Sequence, residues 1–412
     1  MKEQAIAIVL GGTNPHIALI NNLKRRGYYT VLVDYYDNPP AKEAADEHIK
    51  ESTLDKDKVL EIARSISAKL VISACVDQAN VTACYVAEKL GLPAPYSYKT
   101  ALEVTDKGLM KRKMIDSGIP TARHIYADGV EAFEQSELKF PIVVKPADSN
   151  GSAGVRKANS YTELSNYIGE ALKISRNGKV ILEEFKEGVE ISLDFFVQNM
   201  EPHLIMIREK FKMINKEGSA VLQSPGSITP GQVSPSAREK ATKIAKKIVD
   251  TFDLKNTSLL IQAIVKGDDV NIIEFAPRVG GGLSYRTVKL NTGFDILDAT
   301  VDSYLGIKTE LKYEQPKSYY STNIIYALPG VFESVTGYEE LIEDKVIKEF
   351  YFYKTKGMQI GADMSTKSRV GAFLVQADNK QELFEKMKIA IDRLEVYDSI
   401  GNPIMRKDIY PI

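Results

Sequence analysis

The stretch PIVVKPADSNGSAGV, residues 141–155, decides how the rest of the chain is read. An apolar run carries one lysine, Lys145, and passes straight into a loop of small residues with Gly151 and Gly154. A P-loop puts its glycines first and its lysine at the start of the next helix. Here the order is reversed, so that reading fails. A lysine on a strand can still aim a fixed charge at a phosphate, and a small-residue loop can fold backbone N–H groups over the same anion. The alternative is a lysine that snorkels out of an edge strand before an ordinary turn. This stretch alone leaves both open.

Upstream, the first hundred residues alternate strand and helix patterns. AIAIVLGG, YTVLVDY and KLVISAC read as short apolar strands. PHIALINNLKRRG, DKVLEIARSIS and QANVTACYVAEKLG read as helices, the first stopped by Gly27. Apolar strands separated by helices predict a parallel sheet covered on both faces, a Rossmann-like domain. Gly11-Gly12 before a helix, with Asp34 at the end of the second strand, imitates a dinucleotide fingerprint. GGTNPH is not GxGxxG, however, and Asp34 reads equally as a simple strand-end residue. GLPAPYSYK then breaks the pattern and marks a boundary.

Downstream, VILEEFKEGVEISLD ends a strand in acidic residues and enters the next strand at Glu190. A strand-to-linker backbone near Glu184 and Phe185 could read an adenine edge while a carboxylate binds the ribose. NKEGSAVLQSPGSITPGQVSP is a long loop, which usually signals function or mobility. Ser234 and Pro235 open a helix as N-cap and first helical residue. SLLIQAIV and VNIIEFAP pair as a hairpin across Lys266–Asp269. If Gln262 and Glu274 face the same side, their oxygens could share a Mg²⁺ ion held against phosphates. Arg278, just before a run of three glycines, could stabilise a transferring phosphoryl group.

The totals are ordinary. The 412 residues exceed one core and predict several domains; 54 basic against 55 acidic residues give no global attraction to nucleic acid or an anionic membrane. Cys75 and Cys84 have no metal-site spacing and read as small core residues. No stretch approaches about 20 apolar residues, and MKEQAIAIVLGG does not read as a signal peptide. A cytoplasmic protein is the expectation.

Together these segments resemble the ATP-grasp superfamily, in its carboxylate–amine ligase branch, over nearly the whole chain. The resemblance implies a mixed α/β and α+β protein. A Rossmann-like pre-ATP-grasp domain would span 1–98 and a two-subdomain ATP-grasp fold 99–310, with a lid at about 107–185 and a metal and substrate part at 186–310. A small α+β C-terminal domain would span 311–412. TDKGLMKRKMIDSGIPTAR is similar to the family's opening segment and implies that Lys107 contacts ATP phosphate. The resemblance implies that Lys145 and the loop with Ser149, Gly151, Ser152 and Gly154 close over the phosphates. It assigns Glu183, Glu184 and Phe185 to the adenine, Glu190 to the ribose, Gln262 and Glu274 to Mg²⁺ (with Mn²⁺ as an alternative), and Arg278 to phosphate. SRVGAFLVQADNKQELFEKMKIAI is similar to the closing segment of amino-acid ligases in this branch.

Two departures stand out. Many members have Glu at the first metal position, whereas this chain has Gln262, as the large subunit of carbamoyl-phosphate synthetase does. Ala276 stands where many have an Asn metal ligand. The implied chemistry is ATP-dependent amide formation from a small-molecule carboxylate and an amine through an acyl phosphate. Arg208, Lys210, Gly281 and Arg286 are the substrate candidates, although Arg286 reads equally as half of an ion pair. A carbamoyl-phosphate synthetase-like or carboxylase-type enzyme is the alternative, and an ATP-binding protein without ligase activity is the alternative of another class. Analogy with relatives suggests a homodimer.

Overall fold

The computed structural model describes residues 4–73, 75–148, 153–213, 222–362 and 365–411. The chain opens with a four-stranded parallel sheet in the spatial order Glu47–Lys50, Tyr29–Asp34, Ile6–Leu10, Leu70–Ile72. Tyr29–Asp34, Ile6–Leu10 and the short edge strand Leu70–Ile72 are almost wholly buried, which is why they read as unbroken apolar runs. The edge strand Glu47–Lys50 is only partly buried and mostly polar, so no apolar pattern announced it.

The helices Tyr98–Thr105 and Lys107–Asp116 lead out of this unit. Asp106 caps the second by accepting from the N–H groups of Gly108 and Leu109 at 2.8 Å. A second, antiparallel sheet follows, ordered His124–Ala127, Val180–Glu184, Ile142–Pro146, Arg156–Ala158. Ile142, Val144, Val180 and Leu182 pack into one core with Leu164 and Ile168 of the helix Tyr161–Ile174. Alternation along each strand therefore turns Lys145 and Glu183 to the opposite face.

The largest sheet has eight strands: Asp269–Ala276, Asn256–Lys266, Val189–Gln198, Glu201–Lys210, Gly226–Thr229, Tyr319–Tyr326, Arg369–Ala377 and Glu349–Phe352, in that spatial order. Ile191, Leu193, Phe195 and Val197 face a core shared with the helix Pro235–Phe252, whose buried residues repeat at helical spacing. Their neighbours Glu190, Ser192 and Asp194 face the other way. The sheet runs through the division expected at residue 310, because Gly226–Thr229 pairs with Tyr319–Tyr326. A three-stranded sheet and the helix Lys380–Arg393 complete the C-terminal end.

Candidate active site

Lys145 is a central-strand residue only 7% exposed, which removes the snorkelling alternative. Its Nζ donates to Glu183 Oε2. The register pairs Val143 with Glu183, so Lys145 lies diagonally across from the carboxylate on one face. The other oxygen, Oε1, accepts from Lys111 Nζ. Burial alone would raise the Glu183 pKa, but Lys145 and Lys111 outweigh it and hold the group at about 2. Lys111 is lowered as well, to about 8, through burial first and with Lys145 adding to it. Glu183 was expected at an adenine-reading hinge. In the structure it is a buried anion between two ammonium groups.

Lys111 follows Lys107 by one helical turn in the helix Lys107–Asp116, so the two share a face. Lys107 Nζ lies 3.7 Å from Glu274 Oε2. Gln262 and Glu274 are direct partners in the hairpin and therefore face one side, as the alternation required. Ser192 is the partner of Gln262 on the next strand, which brings Glu190, two residues earlier, onto the same face. Glu190 is raised above the usual carboxylate range by burial, with Glu274 adding to this and Lys210 opposing it. One helix thus joins Lys145 on one sheet to Gln262, Glu274 and Glu190 on another.

Other expected residues are engaged elsewhere. Arg278 Nε and Nη2 donate to the two oxygens of Asp77 at 2.6 and 2.7 Å, and Nη1 donates to Val279 O at 2.8 Å. Burial works against the Arg278 charge, but Asp77 more than compensates and raises its pKa. The arginine expected at the phosphates is therefore tied to the first residue of the helix Asp77–Leu90. Arg208, a substrate candidate, donates to Asp194 from Nε and Nη2 at 2.8 and 3.0 Å, and Ser284 Oγ donates to the same carboxylate at 2.9 Å. Arg286, another candidate, is bound by Glu349, so the ion-pair alternative is the one the structure contains. Lys210 has no carboxylate within ion-pair distance among the described residues, and burial lowers its pKa to about 8, with Arg208 adding to this. Gly281 has open space at its missing Cβ.

Glu184 pairs with Lys186 at 3.0 Å and Arg123 at 3.3 Å, and Phe185 lies under Lys157 Nζ at 4.1 Å. Residues 185–188 link the two sheets, consistent with a hinge. Gly154 has φ +71°, a conformation suited to glycine. Ser149, Gly151 and Ser152 lie outside the described residues, as does much of the long loop from Asn215. In the first sheet, Asp34 accepts from the N–H of Gly12 at 2.7 Å and of Tyr36 at 2.9 Å. Its carboxylate braces the glycine turn, as a strand-end residue can. Burial pushes the Cys75 thiol up to about 11 and Cys84 up to about 12, so neither is an activated nucleophile.

Among the described residues no three His, Cys, Asp or Glu side chains cluster as a self-sufficient metal site. Gln262 and Glu274 supply one amide and one carboxylate oxygen source on one face. That fits a Mg²⁺ ion that takes its remaining ligands from phosphate and water. A separate groove of about 760 Å³, lined in part by Lys289, Thr292, Lys312 and Tyr313, contains none of these residues.

Residues 138–286 match the family model for the ATP-grasp domain. Over this segment the chain is similar to ATP-grasp proteins. The match contains Lys145, Glu183, Gln262, Glu274 and Arg278. The chain is 24% identical to a phosphoribosylamine–glycine ligase of Methanococcus maripaludis, covering 95% of this chain and 94% of that one. It is 25% identical to a formate-dependent phosphoribosylglycinamide formyltransferase of Methanocaldococcus jannaschii over 66% of this chain and 69% of the relative. Among solved structures, an L-amino acid ligase from Bacillus licheniformis superposes with a TM-score of 0.77 at 18% identity, covering 97% and 100% of the two chains. A phosphoribosylglycinamide synthetase from Anaerococcus prevotii superposes with a TM-score of 0.74 at 19% identity, covering 96% and 100%.

Sequence reasoning did not find Lys111, Asp77, Asp194 or Glu349. The Lys107–Lys111 spacing was the available signal for the first. The three acids had none, because each meets its partner only in the folded chain.

Proposed function

We infer that this protein is an ATP-dependent carbon–nitrogen ligase that activates a small carboxylate as an acyl phosphate and joins it to an amine. The observation that carries this reading is the helix Lys107–Asp116, which sets Lys107 against Glu274 and Lys111 against Glu183, with Lys145 on the same carboxylate. A cationic row thereby spans the two sheets that would enclose a nucleotide. No protein nucleophile is required.

A substrate carboxylate oxygen attacks the γ-phosphorus, and ADP leaves with the bridging oxygen. The amine then attacks the acyl carbon, loses a proton, and displaces inorganic phosphate. What the chain supplies is position and charge. Lys145 and Lys107 offset phosphate charge. Arg278, braced by Asp77, adds a fixed cation at the end of the Glu274 strand. Glu190, on the same face as Gln262 and Glu274, is the residue we assign to the ribose. Gln262 and Glu274 would hold Mg²⁺, which when bound neutralises phosphate oxygens and favours phosphoryl transfer. Among the described residues Lys210 is the charged substrate candidate without a carboxylate at ion-pair distance, and an amino-acid substrate is the class we favour for it.

The test is ADP release with Mg-ATP across a matrix of carboxylates and amines, with mass spectrometry of the products. A ligase needs both organic substrates and yields their summed mass less water. ATP binding without ADP release across a broad matrix would reject the reading.

A further inference from the structure

Lys111 is 2% exposed, and the catalytic scheme above gives it no step of its own. Its ammonium makes two contacts that belong to different sheets. One is Glu183 Oε1. The other is Thr121 Oγ1, at 3.0 Å, which itself donates to Ile272 O at 2.8 Å on the strand that carries Glu274. The Glu183 carboxylate is divided, with one oxygen on Lys111 and the other on Lys145. Along the row, Lys107, Lys111 and Lys145 face Glu274 and Glu183, three cations against two anions. One positive charge is left over in a buried place. Such a charge is costly until an anion meets it.

We propose that Lys111 is a positioning residue for nucleotide phosphate: by occupying one oxygen of Glu183 it limits that carboxylate's hold on Lys145 and leaves Lys145 charge for the polyphosphate. The proposal rests on the ATP-ligase reading. Without Lys111, Glu183 and Lys145 become a neutral pair. Lys145 is then still present but drawn toward the carboxylate. A lysine with only an architectural role would weaken all ligands of the cleft alike. Lys111 acts on the phosphates through Lys145, so its loss spares the adenosine moiety.

The experiment is a double-mutant cycle read by Mg-ATP and adenosine affinity in wild type, K111M, K145M and K111M/K145M, with melting curves beside it. Expected is a loss of Mg-ATP affinity on the order of tenfold in K111M, with adenosine changed by less than about twofold and no further loss when K111M is added to K145M. K111R, which keeps the charge, retains most of the affinity. Equal losses for Mg-ATP and adenosine, or the same loss in both backgrounds, overturn the proposal. If K111M does not fold, E183Q is read instead: freeing Lys145 should tighten Mg-ATP, and weaker binding by a folded E183Q overturns the proposal. Wild-type protein that binds no Mg-ATP overturns the nucleotide reading together with this one. Wild-type binding that K111M leaves unchanged overturns this one alone.

Discussion

Arg278 and Asp77, 201 positions apart in the chain, share a two-point ion pair at 2.6 and 2.7 Å. The pair fastens the end of the Glu274 strand to the first turn of a helix in the opening sheet unit. An acid at that helix N-terminus is also favoured by the helix dipole. The side chains are 14% and 23% exposed, so breaking the pair leaves a largely desolvated guanidinium. Asp77→Asn should cost about 3 kcal/mol, the low end for a buried pair that loses one partner. Urea unfolding measures this. Adding Arg278→Met should recover part of the loss, because the stranded charge goes with it. An unchanged midpoint in Asp77→Asn would show that the pair does not fasten the two parts.

Lys145→Met should lower turnover at least about 100-fold, the scale for removing one preorganised charge from a site of phosphoryl transfer. The fold should survive, because Glu183 keeps Lys111 as its partner. Circular dichroism and ADP release together check this. A folded Lys145→Met with wild-type turnover would remove Lys145 from the chemistry.

Gln262 faces Glu274, so the proposed metal position carries one negative charge where a second carboxylate would give two. Gln262→Glu should therefore tighten the Mg²⁺ requirement by about fivefold, since hard cations follow ligand charge. Glu274→Gln should raise it and depress turnover. Titrating Mg²⁺ at fixed ATP reads both. Opposite shifts in the two variants are the expected signature, and a Mg²⁺ requirement unmoved by either would take the ion away from this hairpin.

These residues differ in how far the sequence exposed them. Lys145 was legible because a charge inside an apolar strand is unusual and a small-residue loop follows it. Gln262 and Glu274 were legible because alternation across a short hairpin fixes which side chains meet. The opening parallel sheet was legible from its buried strands, except for Glu47–Lys50, whose polar edge carries no apolar signal. Lys111 lies in the run KRK and reads as solvated helix surface. Its partner Glu183 is 72 positions away, and only the packing of a helix onto two sheets brings them together. Arg208 and Arg286 were found as residues, but not their engagement by Asp194 and Glu349. Local pattern reports which side of an element a residue occupies. It does not report which distant charge waits there.

The acid stability of the chain should carry the mark of Glu183. Its pKa stands at about 2 in the folded protein against an ordinary 4.5, because Lys145 and Lys111 outweigh the burial that would raise it. A carboxylate depressed on folding adds stability that is fully present above the unfolded value and is lost as pH falls through the folded one. The window therefore runs from 4.5 down to about 2. His124 lies beside Glu183 in the sheet register and faces the same lysines. Burial, with Lys111 adding to it, lowers its pKa from 6.5, so its contribution weakens as pH falls through 6.5, a higher window. Wholly buried His16, lowered by burial to about 4, loses its contribution from 6.5 downward as well, so urea midpoints measured from pH 7 down to pH 2.5 should decline in two stages, the upper one shared by both histidines. Glu183→Gln should lower stability at neutral pH, where two ammonium groups lose their anion, and should flatten the lower stage while leaving the upper stage in place. A lower stage of unchanged size in Glu183→Gln would mean that the carboxylate between the two lysines does not govern the acid limb.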